Sequence, residues 1–395
     1  MIRRVYADNA ATTAVSPAAK AAMLPCFDEV FGNPSSLHSF GQAAAQVLTQ
    51  ARGDVAACLN AQPGEITFTS GGSEADNQAL LSAALYGAKK GKKHLISTKF
   101  EHHAILHTLK RLEGMGFEVT LLDVHHDGLV RPEEVKAAIR PDTALVSVMF
   151  ANNEIGTVQP IAEIGAICRA AGVPFHTDAV QAVGHLPIDV EAMHIDLLSA
   201  SGHKFHGPKG VGFLYVRKGL LPLTNLIEGG AQERGKRAGT ENIPGIAGMA
   251  AALRDANAHL GENAVKVSAL RDQLIAGLSQ IPEAILNGDR VKRLPGNVNF
   301  CFPGIEGESM LLLLDSMGIA ASSGSACTSG SLDPSHVLLA IGLPHEIAHG
   351  SLRLSLSEYN NQEDVDQILA AVPKVVARLR GMSPVWKEKH QKEAK

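Results

Sequence analysis

The sequence predicts an α/β fold in which a large, mostly parallel sheet is covered by helices and a smaller α+β unit follows. Short apolar runs alternate with helical patterns between about residues 50 and 260, as in successive βαβ units. After residue 260 a long helical stretch is followed by isolated strands. The chain has 395 residues, more than the roughly 250–300 residues at which a single core stops growing, so we expect two domains.

The elements follow in order along the chain. A helical pattern at 161–172 is typical of those that lie between the strands. The strands expected in the large sheet are 65–70, 93–98, 118–124, 143–150, 173–179, 195–201 and 210–217. The elements expected after them are a helix at 262–281, a strand at 296–302, a helix at 307–318, a strand at 350–357 and a final helix at 361–381. We therefore assign residues 15–260 to the large domain, and residues 1–14 with 261–395 to the small one.

The composition excludes several classes of partner. The formal charge is −4, which argues against a nucleic acid or a membrane surface as the main partner. The sequence contains no uninterrupted run of about 18 apolar residues, so we expect no transmembrane helix. The first residues, MIRRVYADNAATT, lack the apolar core of a signal peptide, so we expect a cytoplasmic protein.

The five cysteines are far apart and form no C-x-x-C pair, so neither a disulfide framework nor a cysteine zinc site is indicated. Cys26, Cys58, Cys168 and Cys301 have apolar neighbours and are expected to be small buried side chains. Cys327 is different, because it lies in the glycine- and serine-rich stretch ASSGSACTSGS at 321–331.

The first polar stretch at a strand end is TSGGSEADN at 69–77. Its pattern predicts a helix with Ser73 as N-cap and Asp76 as the second residue of a capping box. The free N–H groups at such a helix start suit a phosphate. A tight turn with a cap is the simpler interpretation of this stretch alone, and no Walker motif is present.

Two further strand ends carry groups that suit one cofactor. Asp178 and Gln181 are spaced to face the same side of a starting helix, and an acid there either caps the turn or meets a cationic ring nitrogen. Lys204 lies beside His203 and several glycines. A lysine is usually a solvated surface charge, but in this setting it could form a Schiff base. A phosphate seat, a carboxylate for a pyridinium and a lysine for an aldehyde together indicate pyridoxal 5'-phosphate.

A metal site is the competing interpretation of the histidines. Glu101, His102, His103 and His107 include an i,i+4 histidine pair, but the H-E-x-x-H motif is absent and no carboxylate–histidine spacing repeats. His102 can instead lie flat over a cofactor ring.

With these motifs assembled, the sequence resembles the cysteine desulfurases, enzymes of the class V aminotransferase family. The resemblance covers nearly the whole chain, with the motifs in the same order as in the family. The sequence around Cys327 most resembles that of the nitrogenase-associated branch. The matching stretches are YADNAATT, FGNPSSLHSFG, FTSGGSEADN, ANNEIGTVQP, HTDAVQAVG, SGHKFHGPKG, ERGKRAGTEN, GSACTSGSLDPSHVL and GSLRLSLS. The resemblance implies a fold-type I pyridoxal-phosphate enzyme.

The resemblance also implies a role for each matching residue at the cofactor. Lys204 binds the aldehyde and later moves protons, Asp178 pairs with the pyridine N–H, and Gln181 contacts the phenolic oxygen. His102 stacks on the ring and assists proton transfer. The phosphate ligands that it implies are Gly72, Ser73, Ser201 and His203, together with Thr240 of the partner subunit in an obligate homodimer.

The implied reaction takes sulfur from L-cysteine. Asn153 and Arg353 orient the substrate carboxylate, with Asn153 also lining the cofactor. The Cys327 thiolate attacks the substrate's sulfur, so that alanine leaves and a persulfide remains on a loop that reaches an outside acceptor. The implied acceptor is an iron–sulfur scaffold protein. The cluster assembly that it serves is nitrogenase-linked or general. The metal role implied is a transient contact of Cys327 with an iron–sulfur cluster during transfer.

Three alternatives stay open at this stage. A selenocysteine lyase shares the scaffold. A serine or phosphoserine transaminase would leave Cys327 unexplained. A non-catalytic scaffold is disfavoured by the presence of Lys204, Asp178, His102 and Cys327.

Overall fold

The structure is a computed structural model that describes residues 3–323, 334–384 and 386–388. Its largest sheet has seven strands in the order β2-β8-β7-β6-β5-β3-β4. Strand β8 runs antiparallel to both of its neighbours, while the other pairs are parallel. The strands are β2 (Ile66–Thr69), β3 (His94–Thr98), β4 (Glu118–Leu122), β5 (Thr143–Ser147), β6 (Phe175–Asp178), β7 (Leu197–Ser201) and β8 (Gly212–Val216).

This sheet confirms the predicted α/β class and every strand predicted for it. The interior strands are buried along their whole length, which is why they read as continuous apolar runs. The edge strand β4 is partly exposed. The strand predicted at 143–150 ends earlier, at Ser147, although the Val148 and Phe150 N–H groups still donate to the carbonyl oxygens of His176 and Asp178 in β6.

Helices cover both faces of the sheet because successive strand side chains point to opposite sides. Leu95, Leu145 and Leu197 pack with α4 and α5 on one face, whereas Ile96, Val146 and Leu198 join a larger core on the other. The helices of this part are α1 (Pro17–Met23), α2 (Pro25–Asp28), α3 (Ser39–Ala57), α4 (Gly72–Ala88), α5 (His103–Gly114), α6 (Pro132–Ala138), α7 (Ile161–Ala171), α8 (Gln232–Gly235) and α9 (Ile243–Ala258).

A second apolar core is built from the C-terminal part of the chain and from Val5 and Ala7. A three-stranded sheet lies in it, in the order β12-β10-β9, and β1 pairs with β11. The strands are β1 (Val5–Tyr6), β9 (Ile285–Leu286), β10 (Asn297–Cys301), β11 (Ile319–Ala320) and β12 (Ser351–Ser355). The helices are α10 (Leu260–Leu278), α11 (Gly307–Ser316), α12 (His336–Ala340), α13 (His345–Ala348) and α14 (Gln362–Met382).

The predicted domain boundary near residue 260 falls at the junction of α9 and α10. The domain limits themselves stay a prediction. Helix α14 begins with a capping box in which Asn361 and Asp364 bond each other's backbone N–H groups. Within the described ranges, no helix combines the length and the apolar character that a membrane crossing requires.

Candidate active site

A cleft of about 610 Å³ lies where the carboxyl ends of the parallel strands meet the N-terminal segment and β12. Ligands of open α/β sheets bind at this edge. Most residues predicted for the site line this one cleft, although they are distant in sequence. Those that line it are Gly72, Ser73, His102, Asn153, Asp178, Gln181, Ser201, His203, Lys204 and Arg353.

The uncapped start of helix α4 forms one end of the cleft. Gly71 is its N-cap residue, with φ of 153° and no side-chain cap, and the first N–H groups of a helix have no acceptor within the helix. A Cβ on Gly72 would lie 2.6 Å from Val180 Cγ2, so only glycine lets the backbone come this close. The free N–H groups and the positive end of the helix dipole fit a phosphate group.

The predicted capping box at this helix is wrong. Helix α4 begins at Gly72, two residues earlier than a Ser73 cap would require, and Ser73 lies exposed within the first turn. The Glu74 carboxylate, rather than Asp76, accepts a hydrogen bond from the backbone N–H before the helix, that of Ser70 at 2.8 Å. Asp76 is turned inward and is 1% exposed.

Lys204 reaches across the cleft toward the N-terminal segment. It follows β7 directly, in the short 3₁₀-helix Gly202–Lys204. Its Nζ donates to the carbonyl oxygens of Ala10 at 2.7 Å and Ala11 at 2.8 Å. The amine is therefore fixed in the cleft by backbone dipoles, where an aldehyde can reach it.

Asp178 ends strand β6 and is 5% exposed. One of its oxygens, Oδ1, accepts from the Val180 N–H at 2.9 Å. Burial raises the pKa of this carboxyl, and nearby His102 and Lys204 oppose that rise. A buried carboxyl of this kind is stabilised as an anion by a cationic partner such as a pyridinium N–H.

The prediction that Gln181 and Asp178 lie on one starting helix is wrong. The residues after β6 form turns, and both side chains nevertheless reach the cleft. The Gln181 Nε2 donates to the Ala10 carbonyl oxygen at 3.0 Å, the same oxygen that Lys204 contacts. The N-terminal segment thus fixes both groups.

Two histidines flank the cleft. His102 is the N-cap residue of α5, and its Nδ1 accepts from the Ala104 N–H at 3.2 Å, which leaves the proton of a neutral ring on Nε2. The ring of His203 lies 3.1 Å from the Thr12 hydroxyl, measured from Nδ1 to Oγ1. Burial, followed by the charges of Lys204 and Lys209, lowers the pKa of His203 to about 4, so His203 is neutral at pH 7.

Arg353 brings a cation from β12 to the cleft and is 2% exposed. Its NH2 group lies 2.8 Å from the Asp8 carboxylate, and its NH1 group donates to the Asn153 carbonyl oxygen at 3.1 Å. Its Nε is buried without a hydrogen-bond partner among the described residues. The arrangement leaves a fixed guanidinium that can meet a substrate carboxylate.

Cys327 lies outside the described residues, but residues on either side of that gap contact a cleft residue or the chain neighbours of cleft residues. Ser322 forms a β-bridge with Arg353. Ser335, at the other side, donates a hydrogen bond to the buried Glu154 carboxyl, and His336 Nε2 lies 3.0 Å from the Glu101 carbonyl oxygen. The gap therefore begins and ends beside predicted site residues.

Thr240 lies outside this cleft in its own chain. It is exposed, and it lines a separate small pocket of about 60 Å³ that shares Ser70 and Gly210 with the cleft. The prediction that it completes the phosphate site of the partner subunit stays a prediction.

Three of the four cysteines predicted to be buried are so, namely Cys26, Cys168 and Cys301, while Cys58 is half-buried. Burial raises the pKa of Cys168 and of Cys301 to about 12. These thiols stay protonated at pH 7 and are poor nucleophiles.

Asp76 is the cleft residue whose position the sequence did not reveal. Ligand atoms of Asp76, His102 and Asp178 lie within 4.8 Å of one another. The spacing from Ser73 suggests a cap for Asp76, and its polar neighbours Asn77 and Gln78 give no sign that its side chain is buried.

The sequence profile of the class V aminotransferases matches residues 5–368 of the chain. The chain belongs to the class V aminotransferase family. Enzymes of this family use pyridoxal 5'-phosphate, so the cofactor predicted from the residues is confirmed. The uncapped helix, the buried Asp178 and the fixed Lys204 are suited to hold its phosphate, ring nitrogen and aldehyde.

This class V aminotransferase chain is similar to curated and solved proteins over nearly its full length. It is 56% identical over 391 residues to a cysteine desulfurase IscS of Clostridium botulinum, which covers 98% of each chain. It is 54% identical over 389 residues to a cysteine desulfurase IscS of Methanosarcina thermophila, covering 98% of this chain and 96% of that one. A solved structure of a NifS-like protein superposes with a TM-score of 0.89 at 40% identity, covering 95% of this chain and 100% of the other.

Proposed function

We propose that the protein is a pyridoxal-phosphate-dependent cysteine desulfurase, a sulfurtransferase that converts L-cysteine to L-alanine and keeps the sulfur as a persulfide on Cys327. The observation that carries the proposal is that Lys204, Asp178 and the uncapped start of α4 line one cleft with Arg353. The relatives that carry this activity in their names, at 56% and 54% identity, support it.

Different residues of the chain bind the cofactor and the substrate. When bound, pyridoxal phosphate supplies an electron sink that weakens bonds next to the substrate's α-carbon. Lys204 binds the aldehyde and carries protons at Nζ, and Asp178 holds the ring nitrogen. Arg353 orients the substrate carboxylate, because its guanidinium is already fixed by Asp8 and Asn153.

The sulfur step balances without an added oxidant. The Cys327 thiolate forms a sulfur–sulfur bond with the substrate's sulfur, and the substrate's carbon–sulfur bond breaks. The electron pair of that bond stays with carbon, which takes the proton that the substrate thiol carried. Alanine leaves and the persulfide anion remains on Cys327. An acceptor thiolate can then take the outer sulfur by the same kind of exchange.

The active form that we propose is a homodimer. Exposed apolar side chains lie between the end of α1 and the start of α3, where the rings of Phe31 and Phe40 are 5.5 Å apart, and exposed apolar contacts of this kind suit an interaction surface. Thr240 faces outward rather than into its own cleft, which suits donation to a second copy. The exposed apolar residues are Leu24, Phe27, Phe31, Leu37 and Phe40.

The proposed setting is the cytoplasm, with an iron–sulfur scaffold protein as acceptor. The IscS relatives support cluster assembly in general. A link to nitrogenase rests on the residues around Cys327 and on the similarity to a NifS-like protein.

The decisive experiment incubates the purified holoenzyme with L-cysteine, measures alanine and maps the persulfide by mass spectrometry. We expect alanine, and a mass increase of one sulfur atom on the peptide that contains Cys327. The Cys327→Ala variant should keep the visible absorbance of the bound cofactor and lose sulfide release in the presence of a reducing thiol. Normal turnover by this variant would refute the persulfide mechanism, and Cys58→Ala is the matched control.

A further inference from the structure

Asp76 lies on the floor of the cleft, in the second turn of helix α4. It is 1% exposed. Its carboxyl lies with His102 and Asp178 in a group whose ligand atoms are all within 4.8 Å of one another. The proposed roles of His102 and Asp178 leave Asp76 without a function.

The surroundings of Asp76 do not favour an anion. The groups that face it are Asp178 and His176 of β6, Ser199 of β7, and Glu101 and His102 before α5. His176 is fully buried, and burial lowers its pKa to about 3, so it carries no charge. Its Nε2 lies 3.7 Å from Asp76 Oδ1, too far for a hydrogen bond.

One oxygen of Asp76 is left without a partner. Oδ1 is buried and has no hydrogen bond among the described residues. An ionised carboxylate in that state is costly, whereas a protonated one needs only an acceptor. Burial first, and then the charge of Asp178, raise the pKa of Asp76 well above its usual range, against a hydrogen bond from Ser199. Burial and the missing partner therefore favour the neutral form of Asp76, and the Asp178 carboxyl, within 4.8 Å of it, is the nearby group that could accept its proton.

We propose that Asp76 is a positioning residue: a buried, neutral carboxylic acid whose hydroxyl donates toward Asp178 and holds that carboxylate against the ring nitrogen of the cofactor. The inference rests on the proposed function, since that function assigns the ring nitrogen to Asp178. The Val180 N–H already fixes Oδ1 of Asp178 at 2.9 Å. A second donor from α4 fixes the orientation of the carboxylate and favours its ionised form.

The proposal requires a donor at position 76 and no negative charge. Asp76→Asn keeps the shape and supplies an N–H donor, while Asp76→Leu keeps the branching at Cγ and supplies none. Ser82→Ala is the matched control, because Ser82 is a buried polar residue on the same helix that accepts from the Thr224 N–H at 2.8 Å, away from the cleft. Asp76→Ala serves as a second donor-free variant if Asp76→Leu does not fold.

The experiment titrates each folded apoenzyme with pyridoxal 5'-phosphate and follows both the dissociation constant and the pH dependence of the visible band. Asp76→Asn and Ser82→Ala should stay within about threefold of the wild type. Asp76→Leu should bind about 10-fold or more weakly, and its band should titrate at a different pH, because a charged group loses a hydrogen bond. Far-UV circular dichroism of the apoenzymes establishes that each variant is folded.

Other outcomes separate this inference from the proposed function. Equal losses in Asp76→Asn and Asp76→Leu would show that charge is needed, and would overturn the neutral donor. Wild-type behaviour of both Asp76→Leu and Asp76→Ala would also overturn it. Asp178→Asn is expected to lose the normal band. If it keeps that band, the assignment of Asp178 fails, and the proposed function fails with it. Stoichiometric binding of Zn²⁺ to the wild-type apoenzyme that Asp76→Asn abolishes would replace the donor with a cation site.

Discussion

The Arg353 guanidinium contacts the Asp8 carboxylate at 2.8 Å, so β12 and the N-terminal segment share an ion pair at the edge of the cleft. The arginine side chain is 2% exposed and the aspartate side chain 21%. Arg353 is thus held by a carboxylate that the substrate does not need to displace, because the guanidinium offers further N–H donors. The ion pair therefore fixes the orientation of the guanidinium toward the substrate carboxylate, in addition to supplying its charge.

Changes to this pair should weaken substrate binding. Arg353→Lys cannot reproduce the forked contact, and we expect KM for L-cysteine to rise about 10-fold or more. Asp8→Asn should raise KM by a smaller factor, because it loosens the arginine without removing it. Steady-state alanine formation measures both effects. Asp127→Asn, which disrupts an ion pair with Arg131 outside the cleft, should leave KM unchanged. A KM unaltered in Arg353→Lys would remove Arg353 from the substrate site.

Lys204 should be required for turnover. In Lys204→Ala the amine that contacts the Ala10 and Ala11 carbonyls is absent, so the group proposed to bind the aldehyde and to carry protons at Nζ is lost. We expect alanine formation to fall by a factor of about 10² or more, and the visible band of the resting enzyme to be lost. Absorbance spectra and a multiple-turnover assay measure this. The matched control is Lys209→Ala, which removes an exposed lysine near the mouth of the same cleft. Full multiple-turnover activity in Lys204→Ala would contradict the assignment.

A buried ion pair should contribute to stability next to the segment that carries Thr240. Arg52 contacts both oxygens of Glu233 at 2.7 and 2.6 Å, and the Phe68 N–H donates to the same carboxylate at 2.9 Å. Glu233→Ala would leave the arginine buried without its partner, and should lower the free energy of unfolding by about 3–5 kcal/mol.

Denaturant unfolding of the apoenzyme measures this loss. The control is Arg254→Ala, which removes a partly exposed pair with Asp54 and should change the free energy of unfolding by less than about 1 kcal/mol. Similar values for the two variants would show that the buried pair does not stabilise the fold.

Glu101 should make stability depend on pH. It is fully buried at the entrance to α5, and burial raises its pKa to about 8 from the usual 4.5. Between these values the folded protein binds a proton that the unfolded chain releases, so the contribution of Glu101 to stability falls as pH rises from about 4.5 toward 8. Glu101→Gln carries no titrating group there.

The stability difference between Glu101→Gln and the wild type should therefore shift in favour of the variant as the pH rises from 5 to 8, with a slope of at most about 1.4 kcal/mol per pH unit. Unfolding of both proteins in urea at several pH values measures the difference. A difference that is constant over this range would show that Glu101 is ionised in the folded protein.

The sequence was sufficient where backbone pattern and chemistry coincide. Buried parallel strands read as apolar runs, and polar residues that end parallel strands lie at the same edge of the sheet, so the sequence alone predicts that Asp178 and Lys204 lie close together. The start of α4 could not be predicted correctly, because Gly71 caps the helix through its backbone conformation and offers no side-chain signal. Asp76 was misassigned for the same reason, since local spacing suggested a cap and only the packing of α4 on the sheet turns it inward. Contacts such as Asp8 with Arg353, which are 345 residues apart in the chain, carry no local signal at all.

The oxygens of Ala10 and Ala11 that receive Lys204 come from the first residues of the chain, and the guanidinium opposite comes from β12 near its end. During synthesis on the ribosome, the segment around Ala10 must therefore wait until β12 has also emerged. Coenzyme loading is then a late event in the life of the newly made chain, and translation products that stop before β12 are unable to build the pocket.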